Sequence, residues 1–170
     1  MFALIGSEIV ASGRMIDWLT VARAVHVVAI VHWIGGLLFV TLVILPSLLE
    51  IEASRRLALF DALERRFATQ ARVSTLLVGL SGFYMLYAYE HWGRIADPRF
   101  WWLDAMIGLW AIFTIMLFVV EPLFLHAWFD ARAQRDPDGA FRVASRGHRI
   151  LCLLAVVTVL GAVGGTHGLF

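Results

Sequence analysis

Long apolar runs alternate with short charged connections along this chain. Four runs are nearly free of charge: Trp18 to Leu49, Val73 to Tyr89, Trp101 to Phe129 and Ile150 to Leu169. Each is about long enough for a helix to cross the roughly 30 Å hydrocarbon layer of a bilayer, which takes about 20 residues at ~1.5 Å each. The first connection, "PSLLEIEASRRLALFDALERRFATQ", sets apolar residues at helical spacing with charges of both signs between them. It therefore predicts a cytoplasmic helix over residues 50–70, after a kink or helix end at Pro46. "DARAQRDPDGAFR" contains Asp-Pro-Asp-Gly and predicts a turn. Residues 1–17 carry only a short apolar run interrupted by Glu8, so they read as an interfacial segment rather than a signal peptide. Short connections between long spans predict an all-α integral membrane fold, an antiparallel up-and-down four-helix bundle forming a single domain over residues 1–170.

Composition agrees with the pattern: 61% of residues are hydrophobic, 16% are charged, and the mean hydropathy is +0.80. The bilayer is the expected partner, and a net charge of +1 gives no footprint for nucleic acid. All fourteen basic residues are arginines, and they set an orientation. Arg55, Arg56, Arg65, Arg66 and Arg72 cluster at the first connection, and Arg132, Arg135, Arg142, Arg146 and Arg149 at the third. The N-terminal segment has Arg14 and Arg23, the second connection Arg94 and Arg99, and the C-terminus none. Basic residues stay on the cytoplasmic side, so both termini are expected outside, in the periplasm for a bacterial inner membrane. Trp92, Phe100, Trp101 and Trp102 at one boundary and Trp128 and Phe129 at the other resemble interfacial aromatic belts. The single cysteine, Cys152, lies within the fourth run and excludes an intramolecular disulfide.

The six histidines sort by depth on this topology. His26, His91 and His167 fall toward the outer side, His126 and His148 toward the inner side, and His32 near mid-membrane. Two heights of imidazole on different helices are what bis-histidine ligation of one or two b-type haems requires, because iron takes two axial ligands from opposite faces of a flat ring. His26 with His91 or His167 is expected to hold an outer haem, and His126 with His148 an inner one. His26 and His32 diverge by roughly 120° around their helix and cannot share a plane. Haem propionates favour arginine near the surface, which Arg23, one turn outward of His26, and Arg149 with Arg146 beside His148 supply. The glycines of "GAVGGTHG" around His167 either admit a flat macrocycle or form a small-residue packing surface.

Plainer roles stand beside these. His91, His126 and His148 also suit water-facing interfacial positions, and His32 suits a hydrogen-bonded core site. Trp33 and Trp110 fill core volume. Glu121, just before Pro122, either relays protons toward an inner redox site or is merely interfacial, depending on where the third span ends.

The stretch "ARAVHVVAIVHWIGGLLFV…LP", with His26, Trp33, Gly35, Gly36 and Pro46, resembles the first helix of the CopD-like and HemJ-like bacterial membrane proteins. "LERRFATQARVSTLLVGLSGFYML", with Arg65, Arg66, Gly79 and Gly82, resembles their second. The HemJ-like resemblance implies a four-helix haem-associated protoporphyrinogen oxidase whose first-helix histidine, matched by His26, works with a third-helix lysine. That lysine has no counterpart, since "FWWLDAMIGLW" offers only Asp104 and Met106 there. The CopD-like resemblance implies copper uptake or tolerance, for which His26 and His32 with Met85, Met106 and Met116 are the available soft or imidazole ligands.

The leading expectation is a haem-b redox protein passing electrons between a quinone or periplasmic partner and another acceptor. Its ligands would be His26, His126 and His148, with His91 and His167 as further partners. Copper transport is the alternative, and a cofactor-free subunit packed against other membrane subunits of a larger respiratory or photosynthetic complex is the third.

Overall fold

The computed structural model describes residues 17–169, and the backbone alone at 53, 54, 126, 127, 129, 130 and 133. The expected interfacial segment, apart from Asp17, lies outside the described residues. Those described are helical throughout their ordered elements, with no strand among them. Four helices are long and apolar enough to cross a membrane: Trp18–Leu48, Arg55–Ala88, Pro98–Leu125 and Pro137–Thr166.

Helix α1 (Trp18–Leu48) begins at Asp17, whose carboxylate accepts from the Leu19 amide at 3.0 Å and from the Thr20 hydroxyl, satisfying donors that a helix N-terminus leaves free. The Thr20 hydrogen bond holds the Asp17 carboxyl below its usual range. Within α1, residues Val40–Ile44 widen into a π-helical turn just before Pro46. A proline removes one ladder donor, and the wider turn lets the helix pass through and end at Leu48.

Helix α2 (Ala53–Ala88) fuses the expected cytoplasmic helix and second span into one rod of 36 residues. After it, the chain turns through a 3₁₀ segment at His91–Arg94, with positive φ at Glu90 (55°) and Ala96 (60°). Asp104 accepts from the Ala96 amide at 3.1 Å and ties that turn to helix α3 (Trp101–Ile115). The third span continues as a ten-residue π-helix, Met116–Leu125, around Pro122.

Helix α4 (His126–Arg135) is separated from α5 (Pro137–Thr166) by Asp136 alone. The expected Asp-Pro-Asp-Gly turn is thus shorter than the sequence suggests. Asp136 accepts from the Gly139 amide at 2.8 Å, and Pro137 needs no donor in the first turn, so the break starts a new helix immediately. Consequently α5 starts thirteen residues before the expected span at Ile150, and His148 is well inside it rather than at its start.

Packing partners follow a consistent order. Between α1 and α2 the pairs Arg23–Tyr89, His26–Ser81, His32–Ser74 and Arg56–Leu48 rise on one helix as they fall on the other. Between α3 and α5, Trp101 faces Gly161 and Trp102 faces Gly165. Trp33, Leu37, Leu109, Phe113, Cys152 and Ala155 form a central apolar cluster, with Trp33 only 2% exposed and edge-on to Phe113 at 4.7 Å. A second cluster of Leu45, Leu48, Phe60 and Phe141 lies toward the arginine-rich end.

Candidate functional site

The seam between α1 and α2 carries the polar side chains that both runs otherwise lack. His26, on the ninth residue of α1, places Nδ1 3.1 Å from the Val78 carbonyl and 3.0 Å from the Ser81 hydroxyl. Ser81 donates its own proton to the Leu77 carbonyl one turn back. Both neighbours of Nδ1 are therefore acceptors, so Nδ1 carries the hydrogen and Nε2 keeps its lone pair. No hydrogen bond reaches Nε2 among the described residues. The α2 backbone approaches closely here because position 82 is glycine: a Cβ there would lie 3.1 Å from His26 Cε1, tighter than van der Waals contact.

One turn outward, Arg23 donates to the Tyr89 hydroxyl and lies over its ring at 5.7 Å. His91 stacks on the Tyr89 ring, with centroids 5.2 Å apart and planes 20° apart. Arg23, Tyr89 and His91 thus gather at the end of the α1–α2 hairpin above His26. Burial first, and the Arg94 charge second, hold the His91 imidazole below its usual value, so its neutral form predominates at pH 7.

The remaining histidines are divided. His148 donates from Nδ1 to the Ala144 carbonyl of its own helix at 3.0 Å and packs edge-on against Phe60 at 6.0 Å. The same tautomer logic leaves its Nε2 as an acceptor. Its expected partner His126 has its backbone at the first residue of α4, and its imidazole lies outside the described residues. Arg149 and Arg146 are exposed on α5. His167 is exposed and donates from Nδ1 to the Val163 carbonyl at 2.8 Å.

Its neighbouring glycines serve as a packing surface. A Cβ at Gly161 would lie 2.4 Å from Trp101 and one at Gly165 2.2 Å from Trp102, so indole rings occupy the space a macrocycle would need. His32 differs from the expected core residue: it bonds Ser74 at 2.8 Å but is exposed along the side of the hairpin. Rotation places it there, because the buried stripe of α1 runs through Ala29, Trp33 and Leu37.

No model of a protein family, no curated protein and no solved structure matches this chain. Among the described residues no group of three or more His, Cys, Asp or Glu side chains converges as a metal cage. A haem asks for less, one imidazole lone pair on each face.

Glu121 is neither a surface residue nor alone. The residue is 6% exposed and its carboxylate forms an ion pair with Arg72, whose Nε also donates to the Leu117 carbonyl at 3.0 Å. In a π-helix the amide of residue 122 would serve that carbonyl, and Pro122 has no amide hydrogen to give. Arg72 thus replaces the missing donor. It leaves the set of solvent-facing arginines to which its position in the first connection assigns it.

Ser74, Ser81 and Tyr89 are the site residues that sequence reasoning passes over. A signal for the serines was present: they are seven positions apart in an apolar run, hence on one face, and hydroxyls there need partners.

Proposed function

We propose that this chain is an integral membrane redox protein that crosses a bacterial inner membrane as an antiparallel up-and-down four-helix bundle and holds haem b through His26. Four apolar helices, the opposed order of the α1–α2 contacts, the start of α3 packed on the end of α5 and the arginines gathered at one end support the insertion and its orientation, with both termini on the periplasmic side. The fixed Nδ1–H tautomer of His26 carries the haem reading. Haem-ligating and metal-ligating histidines characteristically donate their other nitrogen to a carbonyl or an oxygen acceptor, which orients the ring and raises the basicity of the ligating atom.

His26 would supply one ligating nitrogen, and His91, near the same outer end of the hairpin, the other, while the indoles beside His167 leave no space for the ring there. Gly82 gives the imidazole room beside α2, and Arg23, already near the surface with Tyr89, is placed for a propionate. His148, packed edge-on against Phe60, would be the inner ligand, with His126 as its partner and Arg149 for a propionate. Bound haem would supply one-electron transfer, and the surrounding apolar helices would exclude water and set its potential. The resemblance of the first helix to HemJ-like proteins points the same way.

The test is the reduced-minus-oxidised visible spectrum of the chain purified from membranes. Sharp α and β bands are expected, with loss of at least half of the signal in His26→Ala. A colourless preparation, or a spectrum unchanged by His26→Ala, would rule the haem reading out.

A further inference from the structure

Helix α5 carries a line of arginines away from the α1–α2 hairpin. Arg142, Arg146 and Arg149 follow one another at spacings of four and three, which sets them on one face over two turns, a rise of about 10 Å. All three are exposed. Their charges are poorly matched within the chain, because no acidic residue follows Asp138 in the sequence. Asp138 is held by Arg56 at 2.8 Å, and Asp136, which caps the helix, lies 3.7 Å from Arg142. Among the described residues, neither the Arg146 nor the Arg149 side chain has a hydrogen bond or an ion pair. Arg56, Arg65 and Arg72 of the first connection, by contrast, are each paired with a carboxylate. The arginine face of α5 then turns apolar without changing direction, through Leu153, Val157 and Leu160, all exposed. From Arg149 to Leu160 the helix rises about 16 Å, roughly half of the ~30 Å hydrocarbon layer and so the depth of one leaflet.

We propose that this face of α5 binds an anionic phospholipid, with its phosphate on Arg142, Arg146 and Arg149 and an acyl chain along Leu153, Val157 and Leu160. Charge selects the head. A guanidinium fork grips phosphate oxygens in pairs, and three forks without a close carboxylate favour a head of net negative charge over a zwitterionic one, whose own ammonium they repel. The apolar continuation selects a lipid, because a soluble anion or an acidic peptide would leave the leucines uncovered. Arg149 is also the residue offered to a propionate in the haem reading, so Arg142 and Arg146 are the ones to alter. The proposal rests on the bilayer insertion proposed above and not on haem.

The test is photolabelling of the full chain in vesicles of nine parts phosphatidylcholine to one part phosphatidylglycerol, followed by peptide mapping. One lipid or the other carries a diazirine on its acyl chain, at equal probe abundance. The phosphatidylglycerol probe is expected to label residues 150–160 at least fivefold more than the phosphatidylcholine probe. Arg142→Gln/Arg146→Gln should cut that ratio at least threefold, and Arg142→Lys/Arg146→Lys should keep more than half of it. In the unaltered chain, salt at about 1 M should also lower the ratio, because exposed charges are then screened within about 3 Å. Equal labelling by the two probes, or a ratio unchanged in Arg142→Gln/Arg146→Gln, overturns the proposal. So does loss of the ratio in millimolar inorganic phosphate, because the arginines would then hold a soluble anion. Extraction of the chain by alkaline carbonate would overturn bilayer insertion itself, whereas a chain retained in the vesicles with equal labelling would overturn only the lipid site.

Discussion

The Ser81 hydroxyl joins the Val78 carbonyl in orienting an imidazole 55 positions away in the sequence. Because its proton is committed to the Leu77 carbonyl, it can only accept from His26, and the opposite ring nitrogen is left basic. Removing such a supporting partner typically weakens the bound group about 10–100-fold without removing the ligand itself. With haem held through His26 as proposed, Ser81→Ala is expected to lower its affinity by about tenfold in a titration monitored at the Soret band, while the Val78 carbonyl preserves the tautomer. Affinity unchanged by Ser81→Ala would mean that the hydroxyl does not orient the ring.

At the scale of elements, the third span depends on a side chain from its neighbour. Pro122 opens the helix ladder, and Arg72 closes it by pairing with Glu121 and serving the Leu117 carbonyl. Removing one partner of such a pair strands the other charge away from water, at a cost of about 3 kcal/mol. Arg72→Met is expected to destabilise the protein by that amount in equilibrium unfolding from mixed micelles. Adding Glu121→Gln to the same chain should recover more than half of the loss, because the stranded carboxylate is gone. Strictly additive losses in the double variant would contradict a direct pair.

Much of this element structure is legible in the sequence: the runs, the helical first connection and the kink at Pro46 are visible as patterns, whereas Asp136, read as part of a turn, caps a helix that starts at once. The direction each face points is not. A helix that meets lipid on one side and core on the other is apolar all round, so hydropathy cannot tell Trp33, which is buried, from His32, which faces outward. The glycines near His167 show the same limit, since their spacing suits either a flat ligand or the two indoles that fill it.

On the scale of the whole molecule, the polar chemistry is concentrated at the α1–α2 hairpin. Helix α3 buttresses it through Trp33–Phe113 and the donation from Trp110 to the Thr75 carbonyl at 3.0 Å, and α5 adds Cys152 and Ala155 to the same apolar cluster. This division explains why His26 was recognisable from the sequence as a ligand candidate while its partners were not: a lone ionisable residue in an apolar run announces itself, but its neighbours come from a different helix and are small.

The most direct measurement is low-temperature electron paramagnetic resonance of the oxidised protein. Ligation by His26 and a second histidine predicts a low-spin ferric signal. In His26→Ala that component should become high-spin and return to low-spin when free imidazole is added. A protein without ferric haem signals, or one whose low-spin signal persists in full after His26→Ala, would contradict haem ligation at this hairpin.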